Sequence, residues 1–269
     1  MTAEAAEKLD NFFAGLRDSP RSILLLDYDG TMASFRVDRF EARPFAGVRE
    51  LVGRIQALES TRLAVVTGRP AGEIAPLLGL DRPIEVWGLH GAERIYADGR
   101  RELEKASPAA THKLDELRWH LHHNSFGGLF ENKANGAVMH WRGLPTQKAR
   151  VVEQKTRQLF EPLAHLDGLR LLNFEYGVEL RVGRDKGGAV EAILRESREE
   201  AGSDLPAAYL GDDLTDEAAF RAINAAGNSG LSVLMRREWR ETAADVWLRP
   251  PQELRQFLGR WVDATSGRG

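Results

Sequence analysis

The 269-residue chain is long enough for one large domain or two domains of ordinary size, each with its own hydrophobic core. Its hydrophobic fraction of 42% and charged fraction of 29% are typical of a soluble globular enzyme, and a net charge of −3 excludes a general attraction to nucleic acid or an anionic membrane. The absence of cysteine excludes disulfides, a thiolate nucleophile and cysteine-bound zinc.

The N-terminal segment 1–7 is acidic and lacks the charged-then-apolar pattern of a signal peptide. We expect it to form an exposed helix that leads into the first strand. No apolar run approaches the length of a membrane span, so we expect a cytoplasmic protein without membrane contact.

Short apolar runs alternate with helical periodicity through most of the chain. The runs predict strands at 23–26, 63–66, 84–87, 207–210, 231–235 and 246–248. Helices are predicted at 47–58, 71–78, 187–201 and 213–224. Nearly continuous apolar strands separated by helices indicate an α/β fold, in which helices cover both faces of a parallel sheet.

The middle of the chain has a different pattern, from about residue 108 to residue 182. A long polar helix with four histidines precedes strands at 129–132 and 137–142, a helix at 146–164, and strands at 169–173 and 177–182. This ββαββ order predicts an α+β domain at 107–183, inserted into a core domain formed by 1–106 and 184–269. The histidines are His112, His120, His122 and His123. We expect an exposed helix there and no metal site, because no carboxylate or cysteine has suitable spacing.

The segment 23–31, Ile-Leu-Leu-Leu-Asp-Tyr-Asp-Gly-Thr, ends an apolar run with two carboxylates. Asp27 and Asp29 are two residues apart, so on a continuing strand their side chains would face the same way. Carboxylates at the carboxyl end of a central parallel strand are costly to bury unless a cation or a reaction needs them. We interpret the segment as a Mg²⁺-dependent phosphoryl-transfer site with Asp27 as the nucleophile. The alternative is a strand followed by an Asx-type turn.

A second strand, at 63–66, ends in Thr67, Gly68 and Arg69 before a helix. A threonine hydroxyl and nearby backbone N–H groups can bind a phosphate oxygen, and glycine lets the backbone come close. The alternative is an ordinary strand–loop–helix junction in which Thr67 caps the helix.

Clustered acids follow the strand at 207–210. A structural cap at the helix start would explain Asp213 and Asp216, but it does not explain why Asp212 and Asp213 are adjacent at the strand end. Mg²⁺ prefers oxygen ligands and keeps several waters, so a few protein ligands are enough. Asp27, the backbone carbonyl of Asp29, and Asp212 would complete such a site.

Lys186 is predicted to open the helix at 187–201. A cation is unfavourable at a helix N-terminus, but it is useful where a nucleophilic carboxylate and a phosphate dianion must be held together. The alternative is a solvated surface lysine.

Together these segments resemble the four motifs of the haloacid dehalogenase (HAD) phosphatase superfamily. The matches occur in order at Asp27–Thr31, Thr67–Arg69, Lys186 and Gly211–Asp216. The resemblance implies a Rossmann-like doubly wound core. It also implies that the insertion is a C2-type cap, which closes over the active site and chooses the substrate.

The same resemblance implies a role for each matched residue. Asp27 would be phosphorylated, and Asp29 would act first as general acid and then as general base. Thr67 and Lys186 would hold the phosphate. Mg²⁺ would be bound by Asp27, Asp29 and Asp212, with Asp213 and Asp216 as near or second-layer partners.

A narrower resemblance lies outside these motifs. Segments at 88–93, 131–133, 140–142 and 178–181 are similar to the G-x-H-G-x-E, E-x-K, H-Y-R and E-[IVL]-R segments of trehalose-6-phosphate phosphatases. This narrower resemblance implies that the sugar phosphate is bound by eight residues: Gly68, Arg69, His90, Glu93, Glu131, Lys133, Arg142 and Glu179. Carboxylates and cations suit a disaccharide, whose hydroxyls need acceptors and donors. The alternative for the charged residues at 131, 133 and 179 is the solvated face of an antiparallel sheet.

Two positions depart from that pattern: Trp141 replaces the usual tyrosine, and Gly183-Arg184-Asp185 replaces a link that often contains proline. The resemblance therefore implies a Mg²⁺-dependent trehalose-6-phosphate phosphatase, with functional coupling to a trehalose-6-phosphate synthase as a further expectation. The alternatives are a phosphatase for another phosphosugar, such as glucosyl- or mannosyl-glycerate phosphate, and a non-catalytic sugar-phosphate sensor.

Overall fold

The structure is a computed structural model that describes residues 2–105, 107–123, 127–133, 136–166 and 168–267. The chain divides into two compact units. The first comprises Met1–Glu102 with Lys186–Gly269, and the second comprises Leu103–Asp185. The insertion predicted at 107–183 therefore falls inside the second unit.

The first unit is built on one sheet, and eight strands of it lie within the described residues. They are β1 (Ser22–Leu26), β2 (Thr61–Val66), β3 (Glu85–Gly88), β4 (Glu93–Ile95), β5 (Arg101–Leu103), β10 (Ala207–Gly211), β11 (Gly230–Met235) and β12 (Val246–Leu248). Their order is β12-β11-β10-β1-β2-β3-β4-β5, and the pairs from β12 to β3 are parallel. β4 is antiparallel to β3. The parallel sheet is confirmed, with an antiparallel extension that the sequence did not indicate.

Helices cover both faces of this sheet. They are α1 (Ala3–Asp18), α2 (Val48–Ala57), α3 (Ile74–Leu78), α6 (Lys186–Ala201), α7 (Glu217–Asn224) and α8 (Gln252–Thr265). Alternate residues of β1 point to opposite faces: Leu24 and Leu26 join the core beneath α1, α2, α3 and α8, whereas Ile23 and Leu25 join the core beneath α6 and α7. This two-sided core confirms the doubly wound architecture.

The N-terminal helix differs from the exposed helix that we expected. In α1, the buried residues are Leu9, Phe12, Phe13 and Leu16. This face packs against α8, a helix that was not predicted from the sequence. The rings of Phe13 and Phe257 lie 5.2 Å apart, edge to face. Burial of such aromatic side chains contributes about 1.5–3 kcal/mol each, so α1 belongs to the core of the first unit.

The sheet order brings three predicted motifs to one edge. β1 lies between β10 and β2, and Asp27, Thr67 and Asp212 each follow the carboxyl end of one of these strands. The Asp27 N–H extends the ladder by donating to the Leu210 carbonyl at 2.8 Å. In parallel α/β sheets this edge is where ligands bind.

The second unit contains a four-stranded antiparallel sheet among its described residues. Its strands are β6 (Phe130–Lys133), β7 (Gly136–His140), β8 (Leu169–Phe174) and β9 (Gly177–Val182), in the order β6-β7-β9-β8. The helices α4 (Pro108–His123) and α5 (Thr146–Phe160) contribute Leu114, Leu117 and Phe160 to its apolar core. The four histidines of α4 are exposed, as expected.

The two positions that depart from the expected family pattern, Trp141 and the segment 183–185, both lie in this unit. Trp141 is buried in its apolar core, where a large ring without a phenolic hydroxyl packs well. Gly183 has φ +100°, which favours glycine, and the Arg184 N–H and guanidinium both donate to the Glu104 carboxylate. Glu104 and Arg184 lie near the two ends of the inserted segment, so this contact ties those ends together.

No helix in the described ranges is both long enough and apolar enough to cross a membrane.

Candidate active site

Four charged side chains are buried together at the carboxyl edge of the first unit's sheet. Asp27 is 4% exposed, Asp212 6%, Asp216 0% and Lys186 3%. Ionised groups are rarely buried unless they are paired with one another or bind a ligand. The cluster therefore has the character of a site, which neither an Asx turn at Asp27 nor a solvated Lys186 would have.

Lys186 joins the first and last acids of the cluster. Its Nζ donates to Asp27 Oδ1 and to Asp216 Oδ1, both at 2.7 Å. As the first residue of α6, it reaches back across the strand ends. The unfavourable position of a cation at a helix N-terminus is thus offset by two charge-assisted hydrogen bonds.

Asp216 is saturated with hydrogen bonds. Its Oδ1 accepts from Lys186 and from the Tyr209 hydroxyl, and its Oδ2 accepts from the N–H groups of Asp212 and Asp213 at 3.0 and 2.9 Å. It thereby fixes the turn after β10. The Asp213 side chain caps the short 3₁₀ helix Leu214–Asp216, with which the predicted helix at 213–224 begins.

Burial controls the ionisation of the cluster. It raises the pKa of Asp27 to about 7, although the nearby Lys186 opposes that rise. Burial and the charge of Asp27 likewise raise the pKa of Asp212 well above its ordinary value. Burial opposes protonation of Lys186, but Asp216 and Asp27 more than offset it and raise the lysine pKa. Lys186 therefore stays protonated, whereas the ionised forms of Asp27 and Asp212 are destabilised unless a further cation lies beside them.

The cluster fits a divalent metal ion. Carboxylate oxygens of Asp27, Asp212 and Asp216 lie within 4.8 Å of one another. Three carboxylates and one ammonium carry a formal charge of −2, which a divalent cation would neutralise. Because four donors already occupy Asp216, Asp27 and Asp212 are the carboxylates that would hold the ion. The Asp29 carbonyl remains a predicted further ligand.

Asp29 is held by Arg69. Arg69 Nε and Nη2 donate to the two Asp29 oxygens at 2.6 Å each, and Nη1 donates to the Arg39 carbonyl at 2.6 Å. Arg69 is 8% exposed, and its guanidinium lies 5.5 Å from the Tyr28 ring. The residue predicted to bind sugar phosphate thus contacts the residue predicted to act as acid and base.

The loop after β2 is fitted to its neighbours through the backbone. The Thr67 carbonyl accepts from the His90 N–H at 2.8 Å, and the Ala71 N–H donates to Glu93 Oε2 at 2.7 Å. A Cβ on Gly68 would lie 2.7 Å from the His90 ring, so only glycine fits there. His90 and Glu93 therefore support the loop that carries Thr67.

Close packing also requires glycine beside Asp212. Gly30 has φ +82°, and a Cβ there would lie 2.0 Å from Asp212 Oδ2. The glycine of the first motif thus leaves room for the acid that follows β10. In this way the first and last motifs fit together at one point.

The polar residues predicted in the second unit form two pairs on its sheet. Lys133 Nζ lies 3.1 Å from Glu179 Oε2, and His140 Nε2 lies 3.0 Å from Glu131 Oε2. Glu179 is 3% exposed, whereas Glu131 is exposed. Arg142 lies over the Tyr176 ring at 5.3 Å. The buried Glu179 is inconsistent with a uniformly solvated sheet face.

Three residues that support the acidic loop, residues 212–216, were not predicted from the sequence. Tyr209 donates its hydroxyl to Asp216 from within the apolar strand β10. The alternation of side chains along the strand, which places Tyr209 on one defined face, was the signal that the sequence offered. Glu217 forms an ion pair with Arg240, and Arg240 Nη2 donates to the Asp213 carbonyl at 2.8 Å. No sequence spacing reveals this last contact, because 27 residues separate its partners.

The chain matches a known protein family over most of its length. The family model described as trehalose-phosphatase matches residues 25–247, which include every motif of the cluster. The chain belongs to the trehalose-phosphatase family.

Relatives within the family share most of this chain. The trehalose-phosphate phosphatase of Mycobacterium marinum is 28% identical over 261 residues, which cover 93% of this chain and 64% of that protein. The chain thus spans less than two thirds of this relative's length.

Solved structures of similar proteins show the same fold. Trehalose-6-phosphate phosphatase of Aspergillus fumigatus matches with a TM-score of 0.76 at 19% identity, over 95% of this chain and 97% of that one. The C-terminal domain of the Candida albicans enzyme matches with a TM-score of 0.75 at 18% identity, over 97% of both chains. At these identities the likeness demonstrates a shared fold.

Proposed function

We propose that this trehalose-phosphatase family member hydrolyses trehalose 6-phosphate to trehalose and phosphate, with Mg²⁺ as cofactor. The observation that carries the proposal is the contact of Asp27 with Lys186 at 2.7 Å, in a buried cluster that also contains Asp212. Membership of the family supports the choice of substrate.

Asp27 is suited to attack phosphorus. It lies at the end of the central strand β1, and Lys186 holds one of its oxygens. In the proposed first step, an Asp27 oxygen forms a bond to phosphorus while the bond from phosphorus to the sugar oxygen breaks. The ammonium of Lys186 and the hydroxyl of Thr67 would then hold the phosphoryl oxygens as their charge rearranges.

Asp29 would transfer the protons. In its protonated form it would give a proton to the departing sugar oxygen, and as a carboxylate it would then take a proton from the water that hydrolyses the aspartyl-phosphate. Arg69 holds both Asp29 oxygens at 2.6 Å. This pairing orients the carboxylate for the step in which it takes a proton, whereas the general-acid step requires one Asp29 oxygen to release Arg69 and carry the proton.

Mg²⁺ would neutralise charge between the carboxylates and the phosphate when it is bound. Asp27 and Asp212 are the side chains that would hold it, because Asp216 is saturated by its four donors. The hard oxygen donors and the formal charge of −2 suit this ion.

The second unit would act as a cap domain that recognises the sugar. Two of its carboxylates, Glu131 and Glu179, are paired with His140 and Lys133. Such pairs can exchange partners with hydroxyl groups without leaving a charge unsatisfied. Arg142 would add a donor at the end of β7.

A substrate panel tests the proposal. Released phosphate would be measured for trehalose 6-phosphate, glucose 6-phosphate, and the glucosyl- and mannosyl-glycerate phosphates. We expect the highest kcat/KM for trehalose 6-phosphate, and no turnover with excess chelator. A clear preference for another compound would reject the substrate, whereas full activity in chelator would reject the metal.

The substitution Asp27→Asn tests the nucleophile. It nearly preserves the shape of the side chain, so the chain should fold but release no phosphate. Turnover by this variant at the parental rate would exclude a covalent intermediate at Asp27. We also propose a cytoplasmic location, with which the cysteine-free composition is compatible; fractionation of the source cells would test it. Copurification would test coupling to a trehalose-6-phosphate synthase.

A further inference from the structure

The segment after β11, residues 236–245, contacts the acidic loop and the start of α7. Glu217, the first residue of α7, accepts three donors from this segment. The Thr242 hydroxyl and the Ala243 N–H each donate to it at 2.8 Å, and Arg240 Nη1 donates to the same carboxylate. Glu217 and Arg240 side chains are each 15% exposed, so solvent screens this contact only partly.

Arg240 also bonds the acidic loop itself. Its Nη2 donates to the Asp213 carbonyl at 2.8 Å, and its Nη1 donates to the Glu241 carbonyl at 2.9 Å. The planar guanidinium can therefore link the segment, the start of α7 and the loop at the same time. Arg236 adds a longer contact, at 3.4 Å, to the Asp212 carbonyl.

We propose that Glu217 and Arg240 are positioning residues that fix the backbone of Asp212 and Asp213 and thereby strengthen metal binding by Asp212. This inference rests on the proposed function in its metal site, but not in its substrate. Asp216 holds the N–H groups of the loop from the active-site side. Arg240 holds the Asp213 carbonyl of the same loop, so both the N–H groups and a carbonyl of the backbone that carries the Asp212 carboxylate are restrained before an ion binds.

The direction in which one substitution changes the Mg²⁺ affinity distinguishes this positioning role from a simple charge effect. Arg240 is a cation near a site for a cation, so its charge alone weakens metal binding. If charge were its main effect, Arg240→Met would bind Mg²⁺ more tightly. If it fixes the loop, the same variant binds Mg²⁺ more weakly, because binding must then also order the loop.

The experiment measures Mg²⁺ affinity by isothermal calorimetry on the full chain, without substrate. We expect Arg240→Met to weaken binding by about tenfold, as loss of a partner that supports a metal ligand typically does. Arg240→Lys keeps the charge but lacks the planar fork, so it should also bind more weakly. The matched control is Arg237→Met, which removes an exposed arginine from the same segment and should bind Mg²⁺ at least as tightly as the parent.

Glu217→Gln provides an independent variant if Arg240→Met does not fold. It should weaken Mg²⁺ binding, and its effect should not add to that of Arg240→Met, because the two residues act as one pair. High Mg²⁺ concentration should restore phosphate release in both variants, which a general loss of structure would not allow.

Two results would overturn the inference. Arg240→Met could fold and bind Mg²⁺ as tightly as Arg237→Met, or the parent chain could bind no Mg²⁺ at all. Phosphate release from trehalose 6-phosphate by the parent chain is measured separately, so failure of the substrate assignment remains distinguishable from either result.

Discussion

Replacing Lys186 by methionine should strongly destabilise the first unit at neutral pH. The side chain is 3% exposed and lies 2.7 Å from both Asp27 and Asp216. Its loss changes the formal charge of the buried cluster from −2 to −3 and leaves two carboxylates without their cation. Removal of one partner from a buried ion pair costs about 3–5 kcal/mol in the free energy of unfolding. Methionine fills a similar volume, so little of this loss would come from a cavity.

The penalty should depend on pH in a defined direction. Lys186 lowers the pKa of Asp27, which burial holds at about 7, so removal of the lysine should raise that pKa further. An acid whose pKa is higher in the folded state than in the unfolded state loses stability as pH rises between those two values. In the variant this window extends above pH 7. The loss should therefore be larger at pH 7.5 than at pH 5.5, where a proton replaces the missing cation.

Urea unfolding in the presence of chelator, at both pH values, measures these changes. The control is Lys8→Met, which removes an ion pair with Asp245 in which the lysine is 43% exposed, and it should cost at most about 1 kcal/mol. If Lys186→Met cost no more than this control at pH 7.5, the buried cluster would not carry the charges assigned to it.

Two further predictions concern the metal site. Because Asp27 has a pKa of about 7 without metal, Mg²⁺ binding should release protons near neutral pH and should become tighter as pH rises from 6 to 8. Calorimetry in buffers of different ionisation enthalpy would detect the released protons. A pH-independent affinity would contradict the prediction. Gly30→Ala should lower the free energy of unfolding by about 1–2 kcal/mol, because alanine is strained at φ +82°. It should also weaken Mg²⁺ binding, because the new Cβ would lie 2.0 Å from Asp212 Oδ2. Chemical unfolding and calorimetry measure the two effects, and an unchanged metal affinity would contradict the reasoning.

Much of the fold could be predicted from the sequence, because buried parallel strands have a strong local signal. β1, β10 and β11 are buried along their whole length and consist mainly of apolar residues. β4 and β5 were missed because each has only three residues, and β5 is exposed throughout. α8 was missed although its apolar residues recur at helical spacing, and with it the buried face of α1.

The candidate site was predictable to the extent that its residues follow strands. Asp27, Thr67 and Asp212 do so, and sheet topology alone brings them to one edge. Two other features were beyond the reach of sequence patterns. The saturation of Asp216 and the pairing of Arg69 with Asp29 depend on where long side chains end, which tertiary packing decides.

The inserted segment Leu103–Asp185 ends immediately before Lys186. Every side chain assigned to phosphate chemistry therefore belongs to one compact unit, although the coding sequence for that unit is interrupted. If the intervening stretch recognises the sugar as proposed, its exchange for one of different length or composition would alter which alcohol is accepted without changing the reactive groups. This separation would then offer a route to new specificities by grafting of the inserted segment.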